Sequence, residues 1–133
     1  VKEFQGRLIN FHGGDTELYR GLDSHLWAIY HNDFNALKVT AHFVSEELDE
    51  GEIIRKENID LSKLKSIEQL RFQNILTCEK ILFEIIKEFK SNRKLKSSKQ
   101  NSKFSRYYSF MPSDLKLICI RNFNNFKRDK NGK

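Results

Sequence analysis

Residues 7–12, Arg-Leu-Ile-Asn-Phe-His, alternate: Leu8, Asn10 and His12 fall on one side of an extended segment, Ile9 and Phe11 on the other. The pattern predicts a short strand whose polar end runs into Gly13-Gly14, a pair that permits a sharp turn or a close approach of backbone to ligand. Asp23 or Ser24 is placed to cap a helix running to about Asn32, with Leu26, Trp27, Ile29 and Tyr30 on its apolar side. Residues 38–44 alternate again, Val39, Ala41 and Phe43 against Thr40, His42 and Val44, which predicts a second strand. The acidic stretch from Ser45 to Gly51 reads as a loop and Glu52 to Ile59 as a third strand.

Ile67, Leu70, Asn74, Ile75, Cys78, Leu82, Ile85, Ile86 and Phe89 recur at helical spacing and predict a long packing helix from about Ser66 to Phe89. Residues 90–103 are rich in Lys, Ser and Asn and read as a flexible or exposed link. Pro112 and Ser113 then open a last helix carrying Leu115, Ile118, Phe123 and Phe126. The expectation is an α/β fold of about three strands with flanking helices and no internal repeat. It divides into a segment over residues 1–90 and a basic linker with a C-terminal helix over 91–133.

The 133 residues suffice for one core. Apolar runs such as Ile81-Leu82-Phe83 and Leu117–Ile120 are far too short to cross a bilayer, so no membrane association is expected. Cys78 and Cys119 both sit inside apolar helical patterns and read as reduced packing residues rather than a disulfide or a metal site. A cytoplasmic compartment and no metal follow as expectations. The net charge of +6 is unevenly spread. Residues 1–86 hold ten basic and fifteen acidic side chains, residues 87–133 fourteen and three. A basic tail on an acidic body suits an anionic partner (a nucleotide, a phosphorylated substrate, RNA or a membrane surface) and equally suits a solvated Lys-rich surface.

Asn10 and His12, two apart on a strand, aim their side chains the same way and can act on one substrate atom. A partly buried, hydrogen-bonded histidine gives the same pattern, and Asp49 in its acidic loop is by spacing no more than a solvated carboxylate. His42, in mid-strand, reads as structural, and His31 as the end of a helix.

The neighbouring residues add a resemblance. Leu8-Ile9-Asn10-Phe11-His12 followed by Tyr19-Arg20-Gly21 resembles the core motif of the folate-dependent formyltransferases, which act on glycinamide ribonucleotide, methionyl-tRNA or sugars. The likeness continues through Leu26-Trp27-Ala28-Ile29 and Thr40-Ala41-His42-Phe43-Val44 and ends at Glu47-Leu48-Asp49-Glu50-Gly51-Glu52-Ile53-Ile54, covering roughly residues 7–60. Where many members carry Pro-Ser-Leu-Leu-Pro after the histidine, this chain has Gly13-Gly14-Asp15-Thr16-Glu17-Leu18. That variant, with Arg106-Tyr107-Tyr108-Ser109-Phe110-Met111-Pro112, is similar to the branch acting on nucleotide-linked amino sugars of the perosamine type.

The resemblance implies 10-formyltetrahydrofolate as formyl donor and Asn10, His12 and Asp49 as the catalytic set. Asn10 and His12 would donate hydrogen bonds to the developing oxyanion, and Asp49 would orient His12 and take the amine's proton. Gly13, Gly14, Tyr19, Arg20, Gly21 and His25 would line the acceptor site. The acceptor implied is a nucleotide-linked amino sugar, with aminoacyl-tRNA the second choice. A different class of function, a non-catalytic RNA-binding module, would use Lys94, Lys96, Lys99, Lys103 and Arg106 on phosphates and Tyr107 and Tyr108 on bases. In the family a nucleotide-fold half precedes the Asn-x-His strand, whereas nine residues precede Asn10 here. The expectation is a piece of a longer protein, or a truncated product without activity of its own.

Overall fold

The computed structural model describes residues 8–131. Three strands, β1 (Ile9–His12), β3 (Lys38–Phe43) and β4 (Ile53–Asn58), form an antiparallel sheet in the order β1-β3-β4. The central strand is buried on both faces, with Val39 and Ala41 on one and Thr40 and His42 on the other. That is why its alternation is one of apolar with small or hydrogen-bonded polar residues. The Thr40 hydroxyl donates to the Gly14 carbonyl at 2.7 Å, which removes the cost of burying it. Arg7, at the head of the first predicted strand, lies outside the described residues.

A second, two-stranded ladder pairs β2 (Tyr19–Gly21) in parallel with β5 (Arg106–Tyr108). The ring of Tyr108 stacks on Tyr19 (centroids 5.5 Å apart) and on Trp27 (5.0 Å). This aromatic pile fixes the C-terminal segment to α1 (Ser24–Tyr30).

Helix α1 is only two turns long and depends on its neighbours. Asp23 takes a left-handed conformation (φ 51°) and makes no side-chain cap; its carboxylate accepts the Met111 N–H at 2.9 Å instead. Helix α3 (Ser113–Asn131) completes the other end: Asn122 Nδ2 donates to the carbonyls of Ile29 and Tyr30 at 3.2 and 3.1 Å. The Tyr30 carbonyl is one that a helix terminus leaves without an internal partner, while that of Ile29 also accepts the Asn32 N–H at 3.0 Å. Phe123 is fully buried and Phe34 stacks on Phe126 at 3.9 Å, so α3 lies flat on the body.

Helix α2 (Leu70–Asn92) is entered through a 3-10 turn at Ile67–Gln69. It buries Leu70, Thr77, Ile81 and Ile85, at spacings of seven, four and four. The long helix is therefore where the periodicity places it, but the covered stripe is narrower than expected. Ile75 is 55% exposed and Leu82 43%, and Phe72, Phe83 and Phe89 also face outward. Apolar residues surround this helix, so spacing marks it as helical without choosing which of two adjoining stripes is covered.

The link after α2 is largely exposed, as expected, but it is not free. Ser98 and Ile53 exchange both backbone hydrogen bonds, at 2.8 and 2.9 Å, and Asn101 N–H donates to Glu17 at 2.7 Å. A Lys/Ser/Asn-rich segment is fastened here by backbone and amide groups, which composition does not reveal.

Candidate active site

The end of β1 and the loop after β3 meet at one point. Alternation puts Asn10 and His12 on the same face of β1, and the antiparallel register sets His42 opposite Asn10 and Thr40 opposite His12. The loop then returns Asp49 to this face in a left-handed turn (φ 57°), with the carboxyl buried. Asp49 Oδ1 accepts from Asn10 Nδ2 at 3.3 Å and lies 3.5 Å from His42 Nε2. Its Oδ2 accepts the Gly21 N–H at 3.1 Å and lies 3.4 Å from His12 Nδ1. Asn10, His12 and Asp49 are thus brought together across 37 residues of sequence, and His42 joins them.

The hydrogen bonds assign the donors. His42 Nδ1 lies 2.8 Å from the Phe43 carbonyl and donates to it, leaving Nε2 to accept from Asn10 Nδ2 at 3.2 Å. Both amide protons of Asn10 are then engaged, one by His42 and one by Asp49. His12 is flanked by two acceptors, the Tyr19 carbonyl 2.9 Å from Nε2 and Asp49 at Nδ1. Only the imidazolium donates to both. Burial of the ring works against that charge and outweighs Asp49 and the Tyr19 carbonyl, so His12 titrates below the ordinary imidazole value. Burial pushes the Asp49 carboxyl upward, but His42 and His12, when protonated on the nitrogens that face it, and the Gly21 N–H together hold it below the ordinary carboxylate range.

Each remaining candidate has a definite place. Gly14 is buried, and a Cβ on it would stand 2.8 Å from Ser24 Cβ and 3.0 Å from His12 Nε2, so its bare backbone is what lets the loop pass the histidine. At Gly21 (φ 86°) a Cβ would meet the Tyr108 carbonyl at 2.2 Å. The Tyr19 side chain is buried, its hydroxyl donating to Asp33 at 3.3 Å, and only its carbonyl reaches the site, through His12. Arg20 is paired with Glu50. His25 donates from Nε2 to the Lys38 carbonyl at 2.7 Å, and enclosure of its ring lowers its pKa to about 4. Beyond His12 the chain is locked by charge: Lys38 and Lys56 reach Asp15 at 3.0 and 2.6 Å, and Lys56 also reaches Glu17 at 2.6 Å.

A cleft of about 650 Å³ lies beside this cluster and, of its members, is lined by His12. His12, Gly13, Gly21 and His25 form one wall and the first turns of α2, with Arg71 and Asn74, the other; Lys116 of α3 stands at its edge. Arg71 makes no ion pair among the described residues, whereas Lys116 lies 3.8 Å from Asp23. Asn74 Oδ1 is buried without a hydrogen-bond partner against Gly13.

Sequence reasoning passed over His42, Asn74 and Arg71. His42 was findable only through the register that sets it against Asn10. Asn74 stood among the packing positions of a helix, and Arg71 carried no signal.

A sequence model of the family described as formyl transferase matches residues 1–86. Among solved structures, the chain is similar to the formyltransferase PseJ from Anoxybacillus kamchatkensis in complex with UDP-4,6-dideoxy-4-formamido-L-AltNAc and tetrahydrofolate. The TM-score is 0.67 and the identity 23%, over 80% of this chain and 55% of that one. It is also similar to an N-formyltransferase from Helicobacter canadensis in complex with folinic acid and dTDP-3-aminofucose, with a TM-score of 0.69 and 23% identity over 89% and 48% of the two chains. A 4-N formyltransferase from Francisella tularensis matches with a TM-score of 0.65 and 19% identity over 86% and 51%. The chain spans about half the length of these structures, and at these identities the likeness is one of fold. The family match covers well over half the chain and includes Asn10, His12 and Asp49: the chain belongs to the formyl transferase family.

Proposed function

We propose that this chain carries the transfer site of an enzyme that moves a formyl group from 10-formyltetrahydrofolate to the amine of a nucleotide-linked amino sugar. The observation that carries the reading is the meeting of Asn10, His12 and Asp49 beside an open cleft. The similar structures from Anoxybacillus and Helicobacter hold folates together with nucleotide-linked sugars, which supports the same pair of ligands here.

The donor set fits the reacting end of such a carrier, because an amide, an imidazole and a carboxylate are the groups formyl transfer needs. When bound, 10-formyltetrahydrofolate supplies a formyl group on a nitrogen able to leave. Transfer to an amine would need three services from the protein: a base for the amine's proton, return of a proton to the departing carrier nitrogen, and a donor for the charge that builds on the formyl oxygen. Asp49 is ionised at neutral pH and takes the amine's proton, directly or through water. The Asn10 N–H now held by Asp49 Oδ1 at 3.3 Å is the donor offered to the formyl oxygen as charge builds there. His12, anchored at Nε2 by the Tyr19 carbonyl, packs its Nδ1 edge 3.4 Å from Asp49 Oδ2 and so fixes where the carboxylate stands.

The cleft suits the acceptor. Leu26 and Leu70 offer an apolar wall to a sugar face, Asn74 Oδ1 sits behind Gly13, and Arg71 and Lys116 present cations to a diphosphate.

The test is to incubate the polypeptide bearing this chain with 10-formyltetrahydrofolate and a panel of UDP- and dTDP-linked amino sugars, following N-formyl product by mass spectrometry. Formylation of at least one is expected. Formylation of methionyl-tRNA at physiological salt, with none across the sugar panel, overturns the choice of acceptor.

A further inference from the structure

The segment that follows α2 runs across the outside of the loop holding Asp49. Ser98 and Ile53 exchange backbone hydrogen bonds, and the Ser97 hydroxyl donates to Glu52 at 2.6 Å. Between them and the Asn101–Glu17 bond stands Gln100. Its Nε2 donates to two carbonyls at once, that of Asp49 at 2.8 Å and that of Gly51 at 2.6 Å. One carboxamide therefore closes the turn on both sides of Glu50.

That turn needs closing. Asp49 adopts a left-handed conformation that L side chains other than Asn and Asp rarely take. Gly51 lies so close to the end of β3 that a Cβ would fall 1.6 Å from the Phe43 carbonyl. Asp49 points its carboxylate inward to four partners, while its backbone carbonyl faces outward and has Gln100 as its donor.

We propose that Gln100 is a positioning residue for Asp49, its carboxamide holding the Asp49–Gly51 turn so that the carboxylate stays between His12, His42, Asn10 and the Gly21 N–H. Residues 97–101 carry Gln100 over the site as a strap remote in sequence from β1 and β3, and within it Gln100 alone touches the Asp49 turn through its side chain. The role rests on the reading that Asp49 takes the amine's proton, but the geometry it controls is measurable without any turnover.

The experiment uses Gln100→Met, which keeps length and packing but removes both donors, and Gln100→Glu, which keeps shape and puts acceptors against acceptors. Ser97→Ala, which loosens the same strap without touching Gln100, is the control. His12 feels the negative charges of Asp49 and Asp15, which raise its titration, and the opposing positive charge of His42, so its imidazole titration, followed by NMR on the chain itself, reports where the Asp49 carboxylate sits. Both Gln100 variants are expected to lower the His12 midpoint further, by about half a pH unit or more, with Ser97→Ala unchanged. In the polypeptide that turns over, kcat should fall roughly tenfold at unchanged acceptor KM. Titrations identical to wild type in both Gln100 variants, or the same shift in Ser97→Ala, overturn the proposal. If His12 shifts as expected but wild type formylates nothing, the positioning role stands and the functional reading fails.

Discussion

Stability in acid should depend on His25. Its imidazole binds a proton at about 6.5 in an unfolded chain but only near 4 in the folded one, where packing encloses the ring and Nε2–H donates to Lys38. A lowered histidine value means that the unfolded state takes up protons first. The stability is therefore complete above pH 6.5 and is lost as pH falls toward 4. From these two midpoints the loss between pH 7 and pH 5 is about 2 kcal/mol. His25→Gln keeps a donor for the Lys38 carbonyl and cannot titrate. Urea unfolding of wild type and variant at the two pH values gives the difference directly, since His12 contributes to both and cancels. The variant should lose about 2 kcal/mol less than wild type on acidification. An equal loss in the two proteins would refute the argument and put the acid-sensitive group elsewhere.

The remaining expectations concern activity, packing and charge. Asp49→Asn and His12→Ala should each lower formyl transfer by about a hundredfold or more while circular dichroism stays native, and near-normal rates in both would remove the assigned roles. Phe123→Ala, at a fully buried site, should cost about 3–5 kcal/mol in denaturant unfolding, whereas Leu82→Ala and Ile75→Ala, half exposed, should each cost well under half of that. Gly21→Ala, with φ 86° and a carbonyl in the way, should destabilise by about 2 kcal/mol or more, measured as a lowered Tm. Binding of tRNA to the basic C-terminal segment should be weak, indifferent to sequence and lost by orders of magnitude between low and moderate salt; retention at moderate salt would favour an RNA partner.

Strand β4 was read from the run Glu52 to Ile59. Alternation made β1 and β3 legible, although β3 is buried on both faces and alternates apolar with small or hydrogen-bonded polar residues. Helices α1 and α3 were legible for the same kind of reason, their apolar residues recurring on one side. The β2/β5 ladder was not, since three-residue strands carry no period and Tyr19 finds Arg106 far along the chain. The covered face of α2 was not legible either, because Leu82 and Ile81 are equally apolar and only tertiary packing separates them. Within the site, alternation paired Asn10 with His12, but Asp49 was reached by resemblance alone, its approach depending on a left-handed turn. His42 was read as a structural strand residue because the register opposite Asn10 belongs to the pairing of two strands and not to either one. Gln100 lay in a segment whose composition suggested freedom, and its two hydrogen bonds show the opposite.

The aromatic pile also fits the chain with an optical gauge. Trp27 is its single tryptophan, and the indole stacks on Tyr108 while donating to the Ser109 carbonyl at 2.9 Å. Both contacts come from the segment that leads out of the strap and into α3. Emission from this one fluorophore will therefore respond first to whether that segment is seated on α1, and only afterwards to unfolding of the sheet. A step in fluorescence that precedes the loss of far-ultraviolet ellipticity in urea would time the lifting of the C-terminal arm, with no label added.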